Sequence, residues 1–176
     1  MSKDFESGLP KEFLQGKIIG IHSLIKRQAK AIKQIGEELE EIKAKGLDSE
    51  EDLKEASKLL RDFHICVENA LIFIANSFDG GIPTEDAHKS LIKQMSSQFG
   101  KERPAVIDET LAGNLEEYLN FRFDFEKSQE TAEDKDRVNL LIEKFEEVSV
   151  SVENQILNFN EELKDFHGLE KEEGND

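Results

Sequence analysis

The stretch Lys17–Ile42, KIIGIHSLIKRQAKAIKQIGEELEEI, decides the fold because its apolar residues recur with helical spacing. Two rows repeat every seven positions: Ile18, Ile25, Ile32 and Leu39 in one, and Ile21, Gln28, Ile35 and Ile42 in the other. Such rows form the a/d seam of packed helices. The pattern predicts a helix from Pro10 to Gly46, about 50 Å long at 1.5 Å per residue. Its seam needs an antiparallel neighbour from the same chain or from a second subunit.

The remaining apolar residues also follow helical spacing, and no useful stretch alternates with the period of a strand. Asp48 and Ser49 are N-cap candidates for a second helix, which the sequence DGGIP at 79–83 ends. Thr84 opens a shorter third helix that carries Leu91, Ile92, Met95 and Phe99, and Asp108 opens a fourth. Residues 128–136 are polar and predict a loop, and a fifth helix follows at about 136–166.

These segments predict an all-α fold, an up-and-down bundle of about five helices, three long and two short. At 176 residues the chain has the size of one domain, so we predict a single domain over 1–176, with 168–176 as a disordered acidic tail. Gly16, Gly20 and Gly36 inside the first helix each cost about 1 kcal/mol in helix propensity. This helix therefore depends on packing.

The charge balance restricts the classes of partner. Acidic residues number 39 and basic residues 23, for a net charge of −16, which repels nucleic acid and anionic membranes unless positive charge is concentrated locally. A single cysteine, Cys66, excludes an internal disulfide, and its apolar neighbours predict a buried structural thiol. No signal segment or membrane-length apolar run occurs, so we expect a cytoplasmic protein with no membrane association.

Two blocks of the sequence resemble the HepT-like branch of the HEPN ribonuclease toxins. The first, Glu68–Met95, reads ENALIFIANSFDGGIPTEDAHKSLIKQM and is similar to the family's apolar helix, D-G-x-I-P turn and following helix with a His. The second, Arg103–Phe123, reads RPAVIDETLAGNLEEYLNFRF and is similar to the family's R-P-x-V-I segment and E-Y-x-x-F-R helix. The resemblance implies a helical protein that forms a homodimer.

HEPN ribonucleases carry an Arg followed after four to six residues by a His, and HepT-like members typically read R-x4-H-x-Y. Two subunits bring these motifs together to cut RNA, and a nucleotidyltransferase antitoxin adds AMP to the Tyr. Here the motif reads RFDFEKSQ over Arg122–Gln129, so Lys127 stands at the His position and Gln129 at the Tyr position. A lysine side chain titrates about four pH units above histidine, and histidine is the residue suited to moving a proton near neutral pH. The motif is degenerate in this chain.

Arg122 has two interpretations: a remnant of the catalytic motif, or a structural arginine that pairs with Asp124, Glu126 or another acidic neighbour. We favour the structural role because the His is missing. His88 follows Glu85 in a single E-x-x-H spacing, whereas a di-metal bundle needs two such motifs and further carboxylates. We therefore expect no metal and no cofactor. His64 is expected to be packed or hydrogen-bonded.

The segment Lys17–Lys33 contains five basic residues and no acidic one: Lys17, Lys26, Arg27, Lys30 and Lys33. They form either a patch for RNA phosphates or an acidic partner, or a solvated face that meets acidic neighbours in the bundle or dimer. We favour the second interpretation.

Three hypotheses of function follow. The first, which we favour, is a catalytically inactive HEPN-like dimer that acts as a scaffold or binds a partner, such as a nucleotidyltransferase-type antitoxin, in a toxin–antitoxin-type system. The second is a metal-independent endoribonuclease that uses Arg122 with a substitute base, Lys127 being the nearest candidate; only then is RNA a substrate. The third is an unrelated bundle that binds a small ligand between its helices.

Overall fold

The computed structural model describes residues 10–129 and 134–169, most of which are helical. In chain order the helices are α1 (Lys11–Lys45), α2 (Glu50–Phe78), α3 (Ala87–Met95), α4 (Glu109–Lys127), α5 (Lys135–Val152) and α6 (Phe159–Phe166), with a π-helical turn at Glu153–Leu157. These two ranges contain no β-strand, which confirms the all-α prediction. Within them no helix is both long and apolar enough to cross a bilayer.

The heptad seam of α1 is buried within the subunit. Ile18, Ile25, Ile32 and Leu39 are each at most 8% exposed, and α1 packs mainly along α2. Gly46 ends α1 with a φ of 83°, a conformation that glycine adopts without strain, and the chain turns back into α2 after three more residues. The antiparallel neighbour that the seam requires is therefore α2 of the same chain.

Gly36 permits a close contact between α1 and α5. A Cβ at this position would lie 3.1 Å from Cε1 of Phe145, closer than ordinary van der Waals contact. Further toward the C-terminal end of α1, Lys135 at the start of α5 donates to Asp48, just after the end of α1, at 2.8 Å. The two helices therefore run antiparallel, and the propensity cost of Gly36 is offset by packing.

Side-chain caps begin three of the helices. The Ser49 hydroxyl accepts from the backbone N–H of Asp52 at 3.0 Å, and the Asp108 carboxylate accepts from that of Leu111 at 2.7 Å. Asp134 accepts from the N–H groups of the first turn of α5. The predicted starts of the second and fourth helices are thus confirmed, and each cap satisfies donors that a helix end leaves open.

The predicted limits of the third helix are wrong at both ends. Thr84 lies in a turn before the helix, and Asp86, with a left-handed φ of 50°, immediately precedes α3. Phe99 lies beyond the C-terminal end of α3, because its N–H donates to the carbonyl of Arg103. The Met95 carbonyl accepts instead from the N–H of Val106, so the following loop takes over bonding that would extend the helix.

The fifth predicted helix is present but divided into α5, the π-helical turn and α6. The N–H of Asn158 donates to the carbonyl of Glu153, five residues earlier, at 3.2 Å. Val152 and Ile156 on either side of this widened turn are both essentially inaccessible to solvent. In a regular α-helix of 3.6 residues per turn, two residues four positions apart do not point in the same direction. The π-helical turn holds more residues per turn, which allows Val152 and Ile156 both to face the core.

The predicted acidic tail lies mostly outside the described residues. Gly168 and Leu169 continue from α6 with backbone hydrogen bonds to Asp165 and Lys164, and Leu169 packs against the core. Positions 170–176 of the predicted tail, and positions 130–133 of the predicted loop, fall outside the residues described.

Three aromatic rings form the centre of the core. The Phe63 ring on α2 meets Tyr118 on α4 edge-on at 5.2 Å between centroids and Phe145 on α5 at 4.9 Å. The Tyr118 hydroxyl donates to the carbonyl of Leu141 at 2.8 Å, and burial raises the pKa of Tyr118. The phenol is therefore a neutral hydrogen-bond donor that joins α4 to α5.

A buried ion pair fixes the junction of α2, α3 and α4. Arg103, in the loop before α4, donates through Nε and Nη2 to the two carboxylate oxygens of Asp79, at the end of α2, and both side chains are fully buried. The other guanidinium hydrogen bonds go to the carbonyls of Gln94, Ser97 and Pro104. Asp79 and Arg103 lie in the two blocks that carry the family resemblance, so these blocks meet in space.

We predict that Arg103→Met lowers the free energy of unfolding by about 3–5 kcal/mol, because it leaves the buried Asp79 carboxylate without its charged partner and with Gln94 as its remaining side-chain donor. Urea unfolding followed by circular dichroism measures the change. The control is Lys144→Met, which breaks a solvent-exposed pair with Glu117 and should cost less than about 1 kcal/mol. Similar losses in the two variants would contradict the structural role of Arg103.

Candidate functional site

Arg122 lies on α4 and points toward α2, with 14% of its side chain exposed. Its Nε donates to Oε1 of Glu126, one turn later on α4, at 2.9 Å, and its Nη1 donates to Oε2 of Glu68 on α2 at 2.8 Å. Asp124, the other expected partner, pairs with Arg137 at 2.8 Å. Two carboxylates of its own subunit therefore hold the guanidinium group.

Glu68 connects three helices through its two carboxylate oxygens. One oxygen accepts from Arg122, and the other is hydrogen-bonded to Nδ1 of His88 on α3. Burial raises the pKa of Glu68, but the hydrogen bonds from His88 and Arg122 outweigh burial and hold the pKa below its usual value. The carboxylate is therefore ionised at neutral pH.

His64 lies one turn before Glu68 on α2 and is 3% exposed. Its Nδ1 is 3.4 Å from Nη1 of Arg122. Burial and the positive charge of Arg122 outweigh the opposite effect of Glu68 and lower the pKa of His64 to about 4. At neutral pH the ring is uncharged and can accept a hydrogen bond from the guanidinium group.

His88 is the most accessible histidine of this group, with 43% of its side chain exposed. Its ring meets Phe123 edge-on at 5.2 Å. It is bonded to Glu68 rather than to Glu85, so the E-x-x-H spacing forms no pair. Across residues 10–129 and 134–169, no group of three or more His, Cys, Asp and Glu side chains is arranged to hold a metal ion.

We call the five interacting residues His64, Glu68, His88, Arg122 and Glu126 the Arg122 cluster. Two carboxylates face one guanidinium group in it, so the charge of Arg122 is already balanced within the subunit. A phosphate that approached this arginine would meet the negative charge of these two carboxylates. The cluster is thus built to tie α2, α3 and α4 together.

Lys127 and Gln129 follow the cluster along the chain: Lys127 comes directly after Glu126, and the N–H of Gln129 donates to the carbonyl of Glu126 at 3.2 Å. Lys127 is the last residue of α4 and is exposed. Five residues along an α-helix correspond to a rotation of about 140°, so Lys127 and Arg122 leave the helix on different sides. Gln129 follows the end of α4 with a left-handed φ of 60°.

Sequence reasoning missed the roles of Glu68 and His88. The available signal was a charged residue inside the apolar stripe of α2, next to Val67 and one turn after His64. A glutamate on a buried helix face requires a partner, and Arg122 is that partner. The hydrogen bond between Glu68 and His88 depends on the path of the chain between α2 and α3. The sequence does not predict how close this path brings the two side chains.

Cys66 and the basic segment of α1 also differ in part from expectation. Cys66 is half-buried, and burial raises the pKa of its thiol, which disfavours a nucleophilic thiolate.

Lys17 donates to the carbonyl of Ser77 and lies over the rings of Phe13 and Phe78. Lys26, Arg27, Lys30 and Lys33 are exposed, and within the described part of the chain no acidic side chain pairs with them.

The comparison with protein families matches residues 55–163 to the HepT-like protein family. This span runs from α2 into α6, covers more than half of the chain and contains the Arg122 cluster and the Asp79–Arg103 pair. The chain belongs to the HepT-like family, which is of the HEPN type. No curated protein and no solved structure matches it.

We predict that the two carboxylates around Arg122 differ in their contribution to stability. Glu68→Gln should lower the free energy of unfolding by about 2 kcal/mol, because a buried, charge-assisted bond is lost. Glu126→Gln should cost less than about 0.5 kcal/mol, because this residue is 40% exposed and forms an i,i+4 helix pair. Thermal unfolding of both variants beside the wild type checks the prediction. It is wrong if Glu126→Gln has the larger effect.

His64 makes stability depend on pH. The folded protein keeps this ring neutral to about pH 4, whereas a histidine of the unfolded chain is protonated near pH 6.5. The unfolded state therefore binds more protons between these values, and stability falls as the pH falls. We expect a loss of roughly 2–3 kcal/mol between pH 7 and pH 4.5 from this residue, at about 1.4 kcal/mol per pKa unit.

The measurement is urea unfolding at pH 7 and pH 4.5 for the wild type and His64→Gln. Glu68 is present in both proteins, and its lowered pKa confines its own contribution to the acid end of this range. The variant should lose less stability than the wild type on acidification, whatever its stability at pH 7. Equal losses in the two proteins would show that His64 is already protonated in the fold or is not buried.

Proposed function

We propose that this HepT-like protein acts by binding rather than by cutting RNA, as a dimeric scaffold or partner-binding component of a toxin–antitoxin-type system. In this proposal the bundle of α2 to α6 keeps the family's framework, and Arg122 belongs to that framework. The proposal accounts for a chain that matches the family over residues 55–163 but lacks the motif His and Tyr.

The state of Arg122 is the observation that supports it best. An arginine that stabilises a phosphate in a transition state must present free N–H groups to the substrate. Here Nε and Nη1 donate to Glu126 and Glu68, so two carboxylates stand beside the guanidinium group and balance its charge, and only 14% of the side chain is exposed. A positioned acid–base group near neutral pH is needed as well, and the motif supplies Lys127 instead of His.

The proposed partners are a second copy of the chain and a nucleotidyltransferase-type antitoxin. Gln129 has no hydroxyl group to accept a nucleotide, so we do not expect control by transfer of AMP to this position. An antitoxin of that type would therefore act on this chain by contact alone. Support for a toxin–antitoxin setting comes from membership of the HepT-like family.

One observation favours the alternative, a metal-independent endoribonuclease. His88 is joined to Arg122 through the carboxylate of Glu68, and 43% of its side chain is exposed. Because Nδ1 faces Glu68, Nε2 is the nitrogen available to take a proton from outside. His88 is therefore a better candidate than Lys127 for the substitute base.

We expect no RNA cleavage above a buffer blank from the purified protein, with divalent metal chelated. The same assay on Arg122→Ala, Lys127→Ala and His88→Ala provides the controls, since trace contamination would persist in all three. Cleavage by the wild type that is lost in Arg122→Ala would overturn the proposal. Additional loss in His88→Ala but not in Lys127→Ala would identify His88 as the base.

A further inference from the structure

A groove of about 1040 Å³ runs between α1 on one side and α5 with the π-helical turn on the other. Three residues of α1 face it at spacings of three and four: Ala29, Ile32 and Gly36. Phe145 of α5 and Leu157 of the π-helical turn complete an apolar floor. From position 29 to position 43 the groove follows α1 for about 21 Å, or about four helical turns. Its length and its floor therefore suit a short helix.

Charged side chains form both rims of the groove. Those on the α1 rim are basic in one half and acidic in the other, and those on the α5 rim are both acidic: Lys30, Lys33, Glu37 and Glu40 on α1, Glu146 and Glu153 on α5. All six are exposed. Within the described residues one of them forms an ion pair, Glu40 with Lys43 at 3.8 Å. The other five charges have no ion-pair partner in that part of the chain.

The antiparallel course of α1 and α5 sets which charges face each other across the groove. Phe145 lies beside Gly36 of α1. Glu146 therefore lies at the acidic half of the α1 rim, and Glu153, about two turns further along α5, lies at the basic half. One end of the groove thus has carboxylates on both rims. The other end has a basic rim opposite an acidic rim.

We propose that this groove binds an amphipathic helix of a partner protein. The apolar residues of that helix, spaced by three and four, lie on the floor. Its basic residues face Glu37, Glu146 and Glu153. An acidic residue of the helix faces Lys30 and Lys33. The inference rests on the partner-binding role proposed above and adds the surface and the chemistry of the partner.

The groove is separate from the Arg122 cluster. The helix α1 packs against α2, α5, the π-helical turn and α6, whereas the cluster is built from α2, α3 and α4. The family resemblance brings two subunits together at the motif on α4, so a second copy is expected there rather than at the groove. The whole of α1 also lies outside the residues 55–163 that match the HepT-like family.

The charge pattern disfavours a nucleic acid or an anionic lipid surface in the groove. Phosphates bound to Lys30 and Lys33 would meet Glu153 on the opposite rim. They would also meet Glu37, one turn further along α1. The net charge of −16 repels polyanions but attracts a helix with more basic than acidic residues. A basic amphipathic helix is therefore the occupant that fits both the floor and the rims.

The probe is a synthetic helical peptide of about 16 residues, or roughly four turns. It carries four leucines at spacings of three and four, with lysines on both sides of them in one half. In the other half it carries glutamate on the side that faces α1 and lysine on the side that faces α5. Fluorescence polarisation of the labelled peptide at physiological salt measures its dissociation constant for the full chain. The wild type should bind it saturably, and a peptide with glutamine in place of the leucines should not bind.

Charge reversal on the α5 rim tests the polar contacts. Glu146→Lys with Glu153→Lys should weaken peptide binding by about tenfold or more. The matched control is Glu143→Lys with Glu147→Lys, which makes the same change in net charge on exposed residues of the same helix outside the groove. It should change binding by less than about threefold, because distant charges are screened. Circular dichroism shows that each variant is folded before it is compared.

A second peptide separates contact from general attraction between opposite charges. It has glutamate in place of the lysines that face α5. It should bind the Glu146→Lys with Glu153→Lys variant more tightly than it binds the wild type or the control variant. Equal binding to the rim variant and the control variant would contradict the proposed contacts.

The outcomes separate this inference from the proposed function. A wild type that does not bind the first peptide, or a rim variant that binds it as well as the control variant does, would overturn the groove as a helix site. Self-association of the chain that the rim variant abolishes would assign the groove to a second copy instead. Binding of a single-stranded RNA oligonucleotide that Lys30→Gln with Lys33→Gln abolishes would assign it to nucleic acid. RNA cleavage that Arg122→Ala abolishes would overturn the proposed function, and no peptide measurement depends on that assay.

Discussion

The buried pair between Asp79 and Arg103 is the interaction on which the arrangement of α2, α3 and α4 depends. Asp79 ends α2, and Arg103 lies in the loop that leads to α4, so their contact sets where α4 begins relative to α2. The remaining N–H groups of Arg103 bind carbonyls at and after the end of α3. One guanidinium group thus joins three helices across a loop, and a fully desolvated charge pair is stable only with this degree of hydrogen bonding. The geometry of the Arg122 cluster, built from these same three helices, follows from it.

The helices themselves could be predicted because their signals are local. Apolar spacing identified α1 and α2, and capping residues marked the starts at Ser49 and Asp108. The errors occurred where distant contacts decide the outcome. Phe99 leaves α3 because its N–H binds the carbonyl of Arg103, and the π-helical turn between α5 and α6 adjusts which side chains face the core. Neither effect is visible in a window of neighbouring residues.

The site could be predicted only in part. The sequence pointed to Arg122 and to an acidic partner within its own helix, because an i,i+4 pair needs no knowledge of the fold. Glu68 lies 54 positions before Arg122 in the chain, and His88 lies 34 positions before it. Glu68 contacts Arg122, and His88 contacts Glu68, only when α2, α3 and α4 pack together. The neutral state of His64 likewise results from burial among helices. The sequence therefore identified Arg122 as a candidate residue, but it did not predict the hydrogen bonds and burial that determine the charge states of the Arg122 cluster.

The two carboxylates that hold Arg122 have a consequence for how such sequences evolve and are interpreted. An arginine that ties α4 to α2 contributes to folding whether or not RNA is cut. If cleavage were lost, substitutions at the His and Tyr positions would be tolerated, whereas replacement of Arg122 would still be removed by selection against unstable proteins. Half of a catalytic motif can in this way outlast the chemistry it once served. Among relatives of this chain, a retained arginine alone is therefore poor evidence for a nuclease.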